Sequence, residues 1–503
     1  MLILKAFKNS SIRALFVPAA YLLLVLLFFP TRGQFQFDSD EGINLMKAML
    51  VDQGFDLYTD IWNDQPPIFT FLLAGVFRIL GYKVGIARML VLLMAGLLVW
   101  SAYRFMEILK GPGSGVLTAI IIINLPEFLG LSVSVMIGLP ALALAALSFV
   151  LIANWHSEGK PIWLLLSALT LVIGIFIKLF IGPLGLIIGI GIFVSALRNS
   201  DRSKPMIKKL VSGLLWVGLV GFLACTFLFT MVGIENLDQL FSDHFAASRL
   251  NVFADQPDYS LAFHLGGVQP LLWLAMIGSL MGIKNRSWLL LYPMAWTISG
   301  IIILSLISPV WAHHQLLITI PASFLAAYAI HETGLWLFEL LKLGKLPRSV
   351  RVEKIIAVFG LLSLVFAFQP LEIATDLAAT PSFGTTGLGV GLMKERILLR
   401  IIENAPRTNW IVTDLPMFAF RARLPVPPEL AVFSSKRIET GMLTEDQIIE
   451  LIERYHPEQI LIGRYHFPNL EAYLNENYVL DLEKEGEIKL YLWPDFKNLP
   501  VVR

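Results

Sequence analysis

Residues 37–67 read FDSDEGINLMKAMLVDQGFDLYTDIWNDQPP, shortly after an apolar run, Ala14–Pro30, that Lys5, Lys8 and Arg13 precede. Asp38, Asp40 and Glu41 therefore stand just beyond hydrocarbon. Anionic headgroups repel carboxylates, so three within four residues call for a use. Ile43, Met46, Met49 and Leu50 then recur at helical spacing. They predict a helix over 42–52, with Asp40 available as its cap.

The rest of the chain supplies the setting. Its 503 residues are 56% hydrophobic and 15% charged, with a mean hydropathy of +0.70. Soluble domains carry about 25% charged residues, so an ordinary cytosolic enzyme is excluded. The formal charge of +1 gives nucleic acid no reason to bind. A lone cysteine, Cys225, rules out an internal disulfide. Crossing a bilayer takes about 20 mostly apolar residues. Candidate spans are Ala14–Pro30, Met89–Tyr103, Val116–Leu131, Pro140–Ala153, Ile162–Phe180, Pro183–Leu197, Leu210–Val232, Leu265–Ile283, Trp288–Ile307, Leu316–Leu341 and Ile355–Phe368. No small-x-small cleavage pattern follows the first, which reads as a retained anchor. From Lys394 onward the character changes: 14 Lys and Arg with 17 Asp and Glu fall in the last 110 residues. The expected fold is an α-helical polytopic membrane protein of about 11 spans, with outer juxtamembrane helices and a small C-terminal α/β domain.

Basic residues gather in cytoplasmic loops. The clusters Arg104/Lys110, Arg198–Lys209, Lys284/Arg286 and Lys342–Lys354 share the side of the basic N-terminus only if Pro66–Leu80 does not cross. That run is therefore read as interfacial or re-entrant. The expected topology in the inner or plasma membrane is a cytoplasmic N-terminus and an extracytoplasmic tail. The outer face then holds 32–65, 126–139, 233–263, 308–314 and everything after Gln369.

Asp40-Glu41-Gly42, Met49, Gly54, Tyr58, Asp60, Pro66-Pro67, Gly81 and Arg88 come in an order that resembles membrane glycosyltransferases of the GT-C fold. The branch is the polyprenyl-phosphate-sugar-dependent one, which includes protein O-mannosyltransferases and aminoarabinose transferases; the chain is most similar to the bacterial glycosyltransferase 39-like group. The likeness continues in Val135-Met136, Leu139-Pro140-Ala141-Leu142, Lys178, Asp243-His244-Phe245 and His313-His314, and in the tail at Trp410–Asp414, Pro427–Leu430 and Arg437. It implies transfer of a sugar from a polyprenyl-phosphate-linked donor to a lipid, glycan or protein acceptor outside the membrane, with Asp40 the catalytic carboxylate and Glu41 beside it as the second acid of the catalytic pair. A positioned Asp suits that chemistry, because an acceptor hydroxyl must lose its proton as it attacks. A single base opposite the leaving phosphate gives inversion.

Two positions depart from the family pattern. Gln65 stands where the family usually has lysine, and Gly138 where an acid is frequent; Asp38 or Glu127 are candidates to stand in for the latter. Lys178, in an apolar run where charge is costly, and Arg88, basic on the outer side, are candidate anion ligands. His244, His313 and His314 complete the substrate-binding set of Asp38, Gln65, Arg88 and Lys178. No ligand spacing such as HExxH occurs, so no metal or other cofactor is expected, and membrane lipids are the remaining partners. Domain limits are set at 1–370 for the membrane domain, 371–393 for a linker and 394–503 for the tail. In the tail, Asn409–Thr413, Gln459–Ile462 and Ile488–Trp493 read as strands and Thr444–Tyr455 as a helix capped by Thr444, while Asp414 and Arg437 are candidates to hold an acceptor. A transporter and an inactive scaffold are the competing classes. Inverted repeats would favour the former, and none is evident.

Overall fold

In the computed structural model, residues 10–29, 34–198, 206–253, 255–343, 392–484 and 488–501 are described. The expected span Ile355–Phe368 and nearly all of the linker 371–393 lie outside them.

Apolar runs bounded by glycine, proline or charge form the helices α1 (Ser10–Phe28), α2 (Ser39–Asp52), α3 (Ile68–Leu80), α4 (Val84–Lys110), α5 (Pro112–Ile123), α6 (Pro126–Ser132), α7 (Gly138–Glu158), α8 (Pro161–Ile175), α9 (Pro183–Arg198), α10 (Met206–Phe227), α11 (Gln269–Lys284), α12 (Leu291–Ser305) and α13 (Leu316–Leu343). Among the described residues, five segments are long and apolar enough to cross a membrane: Val84–Lys110, Gly138–Glu158, Leu210–Val232, Trp288–Ser305 and Ala312–Phe338. Shorter apolar helices surround them. The protein is a multi-pass membrane protein. The expected straight span Val116–Leu131 is instead two helices, α5 and α6, bent by 79°. Pro126, at the first position of α6, restarts the helix in a new direction because its ring cannot continue the old one. Helix α3 has 13 residues, about 20 Å of rise, short of a hydrocarbon core of about 30 Å. Its first amide donates to the Phe176 carbonyl at 3.1 Å.

Helix α2 is the hub. Every residue from Glu41 to Leu50 is buried, so neighbours press on it from all sides. Its cap is Asp38 rather than Asp40: the Asp38 carboxylate accepts from the Asp40 amide at 2.8 Å. The helix starts one turn earlier than the apolar spacing indicates, since polar Ser39 and Asp40 carry no hydrophobic signal.

The tail builds α14 (Leu392–Asn404), α15 (Pro416–Ala422), α16 (Glu445–Tyr455) and α17 (Pro468–Asn477) around β1 (Ile411–Thr413), β2 (Gln459–Ile462), β3 (Val479–Lys484) and β4 (Ile488–Leu492). Sheet order is β1-β2-β4-β3, with β1 and β2 parallel and the other pairs antiparallel. Val412 pairs with Ile460, and Ile460 with Tyr491. The parallel pair needs a helical crossover, which α15 and α16 supply. Thr444 caps α16 in a reciprocal capping box with Gln447. Strand β3 escaped the sequence reading because its edge position leaves Val479 and Leu480 exposed among acidic residues.

This tail is not a separate body tethered to the membrane domain. Met417, Phe418, Ile397 and Leu398 belong to the same buried apolar cluster as α2 and α4. Phe420 packs on Phe77 of α3 and Phe418 on Phe35. The approach is closest at Gly42, where an added Cβ would lie 2.6 Å from the backbone nitrogen of Met417. Gly42→Ala should therefore push α15 off α2 at a cost of about 1–3 kcal/mol. The measurement is tail release by limited proteolysis in detergent; an unchanged digestion pattern would contradict this packing.

Candidate active site

Successive residues of a helix point about 100° apart, and Asp40, Glu41 and Gly42 use that divergence. Gly42 receives the tail. Glu41 turns inward, fully buried, against Arg88 of α4. The Arg88 Nε donates to Glu41 Oε1 at 2.7 Å and the NH2 group to Oε2 at 2.8 Å, the paired geometry that suits guanidinium and carboxylate. The amides of Phe37 and Val135 donate to the same carboxylate, both at 3.1 Å. Arg88 also donates to the Gln34 carbonyl at 2.8 Å and lies over the Phe37 ring. Arg421 of the tail donates to the Gln34 and Phe35 carbonyls. These contacts tie together the segment 34–41, Arg88 of α4, the loop at Val135 and the tail.

Asp40 turns the other way, into a cavity of about 250 Å³. Asp40, Ile43, Asn44 and Lys47 line it from one face of α2, joined by the cap residue Asp38. Asp64 and Gln65 form a second wall, Met136–Gly138 a third and Lys178 with Phe180 a fourth. His244, Trp311, His313 and His314 close the side towards α13. The tail adds Ser434, Ser435, Lys436 and Arg464. Of the residues expected at the site, Asp38, Asp40, Gln65, Lys178, His244, His313 and His314 thus meet here, together with Gly138. Glu41, Arg88 and Glu127 are not part of the lining.

Lys178 reaches the cavity because the fifth apolar run does not stay helical. Helix α8 ends at Ile175, Lys178 is extended (φ −149°, ψ 123°), and a 3-10 turn follows at Leu179–Ile181. The ammonium sits over the Phe180 ring, 5.4 Å from its centroid. A Cβ on Gly138 would come within 3.5 Å of it, so glycine leaves that approach open. The Phe180 ring lies between the His244 and His314 rings, edge to face with each. His244 donates from Nδ1 to the Asp64 carbonyl at 2.9 Å; burial lowers its pKa to about 4, so the imidazole is neutral at pH 7.

Four basic side chains, Lys47, Lys178, Lys436 and Arg464, face three acidic ones, Asp38, Asp40 and Asp64. Lys47 donates to Asn63 Oδ1 at 2.9 Å, and burial brings its pKa down to about 8 against the pull of Asp40. Burial and the neighbouring Asp40 push the Asp38 carboxyl up to about 6. Asp64 is paired with Lys436. The Asp40 carboxylate makes no side-chain hydrogen bond among the described residues, and is the acid left open to the cavity. Among those residues no group of three or more His, Cys, Asp or Glu is arranged to hold a metal ion.

Lys47, Asp64, Lys436 and Arg464 were not singled out from sequence. Lys47 carried a usable signal, since it lies seven residues after Asp40, two turns along an otherwise apolar helix. Lys436 and Arg464 carried none. Asp414 and Arg437 act behind the lining. Buried Asp414 accepts from the amides of Gly463, Arg464 and Tyr465 at 3.0, 2.7 and 2.9 Å, which fixes the loop that carries Arg464. The Arg437 guanidinium donates to the Glu429 and Val432 carbonyls and lies 4.6 Å over the Trp62 ring.

Comparison with known proteins agrees with this architecture. Residues 64–230 match the sequence profile of the dolichyl-phosphate-mannose-protein mannosyltransferase family. No curated protein matches the chain. Among solved structures it is similar to ArnT from Cupriavidus metallidurans bound to undecaprenyl phosphate, at 12% identity and a TM-score of 0.61, over 97% of this chain and 99% of that one. It is also similar to the archaeal oligosaccharyltransferase AglB from Archaeoglobus fulgidus in complex with an inhibitory peptide and a dolichol-phosphate, at 13% identity and a TM-score of 0.55, over 91% and 70% of the two chains. The class is therefore a multi-pass membrane protein with the GT-C glycosyltransferase fold.

Proposed function

We propose that the protein is a glycosyltransferase that moves a sugar from a polyprenyl-phosphate-linked donor to an acceptor hydroxyl at the outer face of the membrane. The observation that carries this reading is Asp40: an open carboxylate facing a cavity otherwise rich in cations, on the helix that organises the whole outer face. In the reaction, the acceptor O–H gives its proton to Asp40 as its oxygen forms a bond to the anomeric carbon. The bond from that carbon to the phosphate oxygen breaks, and its electron pair leaves on polyprenyl phosphate. Attack opposite the leaving group inverts the anomeric centre. Lys178 neutralises charge on the departing phosphate, the kind of preorganised stabilisation that is worth most in a site shielded from water. Neutral His244 offers hydrogen bonds rather than charge, and His313 and His314 line the same cavity. Gln65 Oε1 is buried without a hydrogen-bond partner among the described residues, an acceptor suited to a sugar hydroxyl.

The test is transfer of radiolabelled sugar from a polyprenyl-phosphate donor pool in membranes expressing the protein. Labelled lipid, glycan or protein is expected to form; membranes that hold labelled donor and yield no labelled product would contradict the activity. The outward orientation is tested separately. With Cys225→Ser as background, Glu476→Cys on the exposed end of α17 should react with an impermeant thiol reagent in intact cells. Labelling only after permeabilisation would place the tail inside.

A further inference from the structure

Lys436 belongs to the tail, yet its side chain lines the cavity together with Asp40 and Lys47 of α2. It lies on the short helix Ser435–Glu439, capped by Ser434. Arg437 next to it clamps that helix onto Trp62 and onto the tail's own carbonyls. The Lys436 ammonium pairs with Asp64 Oδ2 and points a second N–H at the His244 carbonyl, 3.4 Å away. An ammonium has three donors, so the third is left for the cavity. The amide nitrogen of Gln65 reaches the same Asp64 oxygen at 3.5 Å. The ends of side chains 65 and 436 therefore converge on one atom, although 371 residues separate them in sequence.

We infer that Lys436 is a ligand of the donor phosphate, so that the phosphate is held by Lys178 of the membrane domain and Lys436 of the tail together. This rests on the donor reading above. Asp64 keeps the ammonium aimed into the cavity while no phosphate is bound. A cation at residue 65 is dispensable because the tail delivers one to the same place. Docking of the tail on Gly42 then becomes a condition for donor binding, and the donor site is incomplete without residues 434–464.

The test uses full-length protein in lipid nanodiscs, with a C55 polyprenyl monophosphate as the probe, and reads its affinity together with the unfolding midpoint. Lys436→Gln should weaken binding by about tenfold or more, the scale of one hydrogen bond to a charged group, in protein that still folds, with the midpoint lowered because buried Asp64 loses its counter-ion. Gln65→Lys added to Lys436→Gln should bring the affinity back to within about threefold of the wild type, since a lysine at 65 returns an ammonium to the side of Asp64. Wild-type affinity in Lys436→Gln would overturn the inference and leave the donor reading standing. A loss that Gln65→Lys does not recover would also overturn it, and mark Lys436 as a prop for the tail. Failure of the wild type to bind the probe would overturn both.

Discussion

Replacing Asp40 by asparagine is expected to lower sugar transfer by about 10²–10⁴-fold, the usual contribution of a positioned base, while polyprenyl-phosphate affinity changes little. Asparagine keeps the shape of the side chain and removes its basicity. The helix start is not at stake, because Asp38 holds the cap and Asp40 contributes only its backbone amide to it. The donor phosphate is assigned to lysines, so an acid elsewhere in the cavity is not needed to hold it. Turnover in detergent or nanodiscs, with donor affinity measured on the same preparation, separates these two effects. Near-normal turnover in Asp40→Asn would remove the base from the mechanism and move attention to Asp38 and Asp64, the other two carboxylates of the cavity.

Glu41 is expected to fail differently. Glu41→Gln leaves Arg88 charged and buried without its counter-ion, which costs about 3–5 kcal/mol where a buried pair is broken from one side. Arg88→Met should be comparably damaging, because the Glu41 carboxylate would keep only amide donors. Both variants should lower the unfolding midpoint and the yield of monodisperse protein, and any loss of transfer should track the folded fraction. Asp40→Asn should leave the midpoint untouched. Stable, fully folded Glu41→Gln without activity would instead place Glu41 in the chemistry, despite its burial away from the cavity.

These two neighbours show how far the sequence carries. The acidic loop and its helix were readable from charge and apolar spacing alone. Which of Asp40 and Glu41 faces substrate was not readable, because that depends on which side of α2 meets Arg88 and which is left empty. Arg88 was singled out as a basic residue against the expected topology, and its partner is a protein carboxylate. Lys178 was found because charge in an apolar run is costly, although the break that frees it after Ile175 has no proline to announce it. The bend between α5 and α6 had a proline, yet the continuous apolar composition hid it. Lys436 and Arg464 looked like solvated charges of a soluble tail. Only the close approach at Gly42 brings them to the cavity, and such an approach leaves no local trace in composition.

The most direct measurement is an experimental structure of the wild-type protein with polyprenyl monophosphate bound. Phosphate density is expected between Lys178 and Lys436, with the Asp40 carboxylate on the far side of the space a sugar would fill. The molecule offers a second cavity, of about 310 Å³ and largely apolar, where His156 and Tyr292 hydrogen-bond at 2.9 Å beside Trp288. Phosphate found there, with the cavity beneath Asp40 empty of lipid, would contradict the assignment of the donor site.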